Sequence, residues 1–143
     1  AFWVVNLASY TTQNTILSVS DNNVVFLEHQ STDQIRFKQG GAAAVIKFAS
    51  SGHFPIRSQY LITFKKTAEK DIVVYKNGTL LDQNESTGLP VADGAGDFDT
   101  IGFRNDNDRA LDAKLYEFAL YSAELGDSDR QAVETYLMNK FSL

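Results

Sequence analysis

Asp97 and Asp99 are the residues of this 143-residue chain whose types and spacing come nearest to hydrolytic chemistry. Two apart on a strand, they share one face. A carboxylate pair about 5–5.5 Å apart is what a retaining glycoside hydrolase needs. A polar junction between loop and strand explains the same two residues more simply, and that is the expectation. The chain has two histidines, so a Ser–His–Asp arrangement would have to use His29 or His53. No Gly-x-Ser-x-Gly elbow presents a nucleophile to either one. His29 follows an apolar run and His53 sits in a Gly/Pro loop, so a structural or solvated role is expected for both.

The densest cluster of oxygen ligands is Asn105-Asp106-Asn107-Asp108. Hard cations such as calcium favour such oxygens. An EF-hand counted from Asp106 would need Gly where Leu111 stands, although Glu117 does fall at its twelfth position. The missing glycine excludes that motif. Asn and Asp also favour turns for their own backbone reasons. No metal and no cofactor is therefore assigned; a calcium at the sandwich rim enters only as something the family resemblance given below implies. Arg104, Asn105, Asp106, Asn107 and Asp108 remain the candidate ligand-binding residues, a polar loop rich in side-chain donors and acceptors. The Asp93–Asp99 segment flanks the same strand from its other end. Asn77-Gly78-Thr79 and Asn84-Glu85-Ser86 match glycosylation sequons, which matter only in a eukaryotic secretory setting.

Composition narrows the class of protein that positions these residues. A chain of this length makes one domain, residues 1–143, with enough core to fold without staples. There is no cysteine, which removes disulfides, thiol catalysis and Cys-ligated zinc. Lys and Arg number 13 against 18 Asp and Glu, a net charge of −5, which disfavours gripping nucleic-acid phosphates. The longest apolar runs, Ala42–Ile46 and Val24–Leu27, fall far short of the roughly 20 residues a membrane span needs, so no membrane insertion is expected. The chain opens at Ala1 directly into an apolar run. That start reads either as an excised or processed fragment or as a chain that has lost an initiator Met.

Short apolar stretches separated by polar clusters predict an all-β protein. Strands are expected over Phe2–Leu7, Thr15–Val19, Asn23–Glu28, Gln34–Lys38, Ala43–Ala49, Gln59–Lys66, Asp71–Lys76, Thr79–Asp82, Asp97–Phe103 and Leu111–Ser122. In Gln34–Lys38, Ile35 and Phe37 face one way and Arg36 the other. In Gln59–Lys66, Tyr60, Ile62 and Phe64 oppose Leu61, Thr63 and Lys65. In the last strand, Tyr116, Phe118 and Leu120 share a face opposite Leu115, Ala119 and Tyr121. Asn77-Gly78 between two runs predicts a type I′ hairpin. Gln83–Gly96 reads as a long surface loop. From Asp127 to Phe141 the period shifts to 3.6, which predicts a C-terminal helix. Its docking stripe would be Val133, Tyr136, Leu137 and Phe141 with Ala132 beside it, and Asp127 or Ser128 would cap it. An antiparallel two-sheet β-sandwich or jelly roll with one C-terminal α-helix follows.

Several of these pieces recur together in a known family. Tyr75-Lys76-Asn77-Gly78 resembles the hairpin of laminin-G-like domains in the concanavalin A-like lectin/glucanase superfamily. Ile101-Gly102 resembles the strand after that family's variable loop. Leu115-Tyr116-Glu117-Phe118-Ala119-Leu120-Tyr121, then Leu125 and Tyr136-Leu137, resemble its closing strand and terminal segment. The match runs over about residues 59–141, while residues 1–58 carry no distinctive motif; members usually have one or two further strands ahead of where this chain begins.

The resemblance implies a sandwich whose concave face or rim loops recognise glycans or proteins. It also brings in glucanases, whose carboxylates interleave along one strand; here Glu117 has Leu115 and Ala119 in those places, which argues against a hydrolase. On this reading the protein is a non-catalytic carbohydrate-binding or adhesion module of a larger extracellular or virion surface protein. Its partner would be a glycan or a surface protein, with Tyr10 and Phe54 as exposed rings and Trp3 in the core. The alternative is a structural or protein-interaction domain, such as a virion decoration or assembly subunit, either one a candidate homo-oligomer or part of a larger assembly.

Overall fold

A computed structural model describes residues 1–9, 14–18, 25–31, 34–39, 44–48, 52–69, 71–81, 83–87, 98, 100–103 and 110–143, with backbone alone at 25, 26, 30, 39, 44–48 and 83–87. The strands are β1 (Phe2–Leu7), β2 (Asn14–Ser18), β3 (Val25–Ser31), β4 (Gln34–Gln39), β5 (Ala44–Phe48), β6 (Gln59–Lys66), β7 (Ile72–Lys76), β8 (Thr79–Leu80), β9 (Gln83–Thr87), β10 (Thr100–Ile101) and β11 (Ala113–Ala119). One helix, α1 (Asp127–Phe141), follows them. A five-stranded sheet has the order β11-β1-β6-β7-β8, and a six-stranded sheet has the order β10-β2-β3-β4-β5-β9. Each pairing is antiparallel.

Alternation explains the core between the sheets. Trp3, Val5 and Leu7 of β1 and Tyr60, Ile62 and Phe64 of β6 meet Ile16, Leu17, Leu27, Ile35 and Phe37 of the other sheet. The opposite faces of β1 and β6 are buried as well. There Phe2, Val4 and Leu61 pack with Leu137 of α1, joined by Val133, Met138 and Phe141. Burial on both faces is why FWVVNL reads as a continuous apolar run rather than an alternating one.

The Asn77-Gly78 turn forms as expected, with φ of 47° and 75°. Asn77 also reaches the neighbouring strand: its Oδ1 accepts the Leu61 N–H at 2.8 Å. Gly78 faces Met138 of α1, whose Cε would lie 3.4 Å from an added Cβ.

Several expectations need correction. Gln83–Thr87 forms β9 against β5, because a polar strand is acceptable at a sheet edge that the sequence alone does not reveal. The expected strand at Asp97–Phe103 is limited to Thr100–Ile101 among the described residues, and that at Leu111–Ser122 to Ala113–Ala119. In β11 the partners of Val4 and Val5 are Glu117 and Leu115, so Tyr116 is an extra, bulged residue. The bulge reverses the alternation. Leu115 and Phe118 therefore both pack on the core, while Tyr116 stays exposed rather than sharing the face of Phe118.

The helix spans the expected residues, but Gly126 is its N-cap and no side chain caps it. Tyr136 is 60% exposed and Ala132 is exposed, whereas Arg130 and Glu134 are buried. The reason is a polar partner on the sheet: Thr63 Oγ1 donates to Glu134 Oε1 at 2.7 Å. Arg130 Nη1 donates to Glu134 Oε2 at 2.5 Å, and its guanidinium lies 3.9 Å from the centre of the Tyr75 ring. The docking stripe is thus turned toward this buried ion pair rather than toward the tyrosine.

Candidate functional site

The two histidines sit in different surroundings. His29 lies within β3, fully buried between the sheets. Trp3 Nε1 donates to its Nε2 at 3.0 Å, which places the imidazole proton on Nδ1, an atom with no hydrogen-bond partner among the described residues. Rings of Trp3, Phe54 and Tyr60 surround it at centroid distances of 5.6, 4.9 and 6.4 Å. Burial pushes its pKa from 6.5 down to about 3, so it is neutral at ordinary pH. Phe54, expected as an exposed ring, is fully buried against this histidine. His53 is half-buried beside Phe54.

Of Asp97, Asp99 and Glu117, Glu117 alone lies among the described residues. Glu117 holds Lys140 of α1 at 2.9 Å. Asp97, Asp99 and Tyr10 lie outside the described residues, as do all five loop candidates, Arg104, Asn105, Asp106, Asn107 and Asp108. No group of three or more His, Cys, Asp or Glu side chains suited to a metal occurs among the described residues. Nor is any described helix long and apolar enough to cross a membrane.

What the structure does describe is the stem of the 104–109 loop. Gly102 N–H donates to Ile16 O at 3.0 Å, and Leu111 N–H donates to Gly102 O at 2.8 Å. Both ends of the loop are therefore fixed at β10, the edge strand of the six-stranded sheet. Ile101 and Phe103 are exposed beside this stem. Just beyond it, Asp112 is clamped from three sides. Its N–H donates to Asn14 Oδ1 at 2.7 Å, its carbonyl accepts Ala8 N–H at 2.8 Å, and its carboxylate accepts the Ser9 hydroxyl. The adjoining Leu7 carbonyl accepts the N–H of Arg57, an exposed residue with φ of 59°. The rim at this end is thus rigidly held by backbone and short polar side chains.

The outward face of the six-stranded sheet carries a polar row that sequence reasoning missed. Thr15, Glu28 and Arg36 stand opposite one another in register across β2, β3 and β4. Thr15 Oγ1 donates to Glu28 Oε1 at 3.3 Å, and Arg36 Nη1 lies 3.9 Å from Glu28 Oε2. The Glu28 side chain is fully buried while that of Arg36 is 25% exposed. Along β4 this face presents Gln34, Arg36 and Lys38, each half-buried, while Ile35 and Phe37 enter the core. The alternation of QIRFK was the available signal, but which partners flank it depends on sheet order.

Elsewhere, a cleft of about 730 Å³ curls around the start of β1, lined by Leu17, Leu27, Phe37, Phe64 and Phe98. It lies at the opposite end of β1 from the Asp112 clamp. At its mouth Lys65 is bound to Glu124 at 2.8 Å.

Two stacked antiparallel sheets with rim loops define a lectin-type sandwich. A laminin-G-like family model, described as the concanavalin A-like lectin/glucanases superfamily, matches residues 1–129. The chain belongs to that superfamily. The match takes in residues 1–58, where no motif was legible, and stops early in α1. No curated protein and no solved structure matches the chain. Membership supports a carbohydrate-binding or adhesion-type module in general terms, in a superfamily that also holds glucanases.

Proposed function

We propose that this domain is a non-catalytic carbohydrate-binding or adhesion module of a larger protein exposed outside the cell or on a virion. One observation carries the reading. Helix α1 covers the outer face of the five-stranded sheet, whereas the outer face of the six-stranded sheet bears the polar side chains of β4. Gly102 and Leu111, which border residues 104–109, are tied to Ile16 and to each other at an edge of that same sheet. A polar face suits hydrogen bonding to sugar hydroxyls. The described carboxylates favour binding over hydrolysis, since Glu28 and Glu117 are each engaged by a cation and stand on different sheets. A glycan array, probed with and without calcium, tests the reading. Hits are expected, and Arg104→Ala should weaken them. An array blank in both conditions would overturn it.

A structural or assembly role is the second reading, favoured by the exposed side of β11 and α1. Tyr116, Leu120, Tyr121 and Tyr136 are each at least 41% exposed there, and β11 is an edge strand. Light scattering on the purified chain reads this directly: a defined oligomer supports it, and a monomer at all concentrations removes it.

A further inference from the structure

We propose that β11 takes a second copy of this chain, the two edge strands pairing antiparallel about a two-fold axis through Leu115 so that the five-stranded sheets of both copies become one continuous sheet. The inference rests on the assembly reading above and names the partner.

The backbone sets the template. Of the edge strands, β8 and β10 have two residues each and β9 has five, whereas β11 has seven. Very short edges are blunted against pairing, and a long one is not. Ala8 N–H donates to Asp112 O, so alternation turns the backbone groups of Lys114 toward β1 and aims those of Ala113 and Leu115 at the open edge. Past the bulge at Tyr116, Glu117 turns toward β1 and Phe118 toward the edge. No strand pairs with β11 on that side among the described residues.

The bulge decides the side chains. In a regular strand Lys114 and Glu117 would fall on opposite faces. With Tyr116 as the extra residue they stand opposite Asn6 and Val4, alternate residues of β1, and so share the outer face. Lys114 is exposed and has no ion-pair partner among the described residues. Lys140 holds Glu117 by Oε2, which leaves Oε1 for a second cation. With the axis through Leu115, that residue exchanges both backbone hydrogen bonds with its own copy. Ala113 then meets Phe118 on the core face, and Lys114 meets Glu117 on the outer face, each pair occurring twice. An edge lysine ordinarily wards off a neighbouring strand; here the opposite charge answers it. The Tyr116 rings, exposed beside Phe141, flank the axis. The helices leave room. Helix α1 packs over β1 and β6, and β1 would lie three strand spacings from its copy, about 14 Å, against a helix diameter of about 10–12 Å.

Lys114 is the residue to change, because Glu117 also holds α1. Light scattering over a concentration series, at low and high salt, compares the wild-type chain with Lys114→Gln and Lys114→Glu. The expected result is a wild-type dimer that added salt weakens. Lys114→Glu sets like charges opposite each other across the axis. Its dissociation constant should rise at least about tenfold, more than that of Lys114→Gln, and fall again as salt screens the repulsion. Thermal unfolding of the dilute chains should be unchanged. Hydrogen exchange at the Ala113, Leu115 and Phe118 amides should be slower in concentrated than in dilute wild type. A dimer that Lys114→Glu leaves intact, or one that does not protect those amides, would overturn the inference while sparing the assembly reading. A monomer at all concentrations would overturn both.

Discussion

Acid should weaken this fold through His29, by an amount that follows from its surroundings. Its imidazole is fully buried among Trp3, Phe54 and Tyr60, and its Nε2 is already occupied as an acceptor. Adding a proton to Nε2 would set it against the Trp3 N–H and place a charge among aromatic rings. The folded-state pKa is accordingly lowered to about 3 from the ordinary 6.5. Between those values the unfolded chain binds a proton that the folded chain does not. Stability therefore falls as pH drops through 6.5, and the loss levels off below about pH 3. At pH 5 the loss is about 2 kcal/mol, from 1.5 pH units at about 1.4 kcal/mol each, and it approaches about 5 kcal/mol in stronger acid. Carboxylates add their own acid dependence, so the comparison must cancel them. His29→Gln keeps an oxygen that can accept the Trp3 N–H but cannot titrate. Urea unfolding of both proteins at pH 7 and pH 5 isolates the histidine as the difference of differences. Wild type should lose about 2 kcal/mol more than the variant between the two pH values. Equal losses would refute the reasoning.

Two further outcomes concern the seat of α1. Glu134→Ala removes the carboxylate that joins Arg130 and Thr63 and leaves the buried guanidinium only the largely exposed Asp127 carboxylate at 3.5 Å; urea unfolding should show a loss of about 3–5 kcal/mol, and a loss below 1 kcal/mol would mean that the pair is not buried as described. Gly78→Ala places a Cβ 3.4 Å from Met138 at a φ of +75°; thermal unfolding should show a destabilisation of more than about 1 kcal/mol, whereas a neutral result would mean that the turn relaxes away from the helix.

Local chemistry made a good part of the fold legible. The 2-residue period of Gln59–Lys66 separates Tyr60, Ile62 and Phe64 from Leu61, Thr63 and Lys65, and the structure keeps that division between the core and the α1 side. The Asn77-Gly78 turn and the limits of α1 are likewise fixed by backbone preferences spanning a few residues. The candidate site was less legible. Arg104–Asp108 stood out by residue type, and the described structure supplies only the stem that carries the loop. The row of Thr15, Glu28 and Arg36 joins three strands and has no signature along the chain.

The division has a physical cause. Propensity and period act over a few neighbours, so the sequence by itself determined strand after strand, one tight hairpin and a closing helix. Burial is decided by what arrives from far along the chain. Phe54 fills the core because β1, β3 and β6 bring Trp3, His29 and Tyr60 around it. Tyr136 is left in solvent because Thr63 offers Glu134 a hydrogen bond across 71 residues. Only the tertiary structure could choose between those faces, because the competing partners never meet in the unfolded chain's local segments.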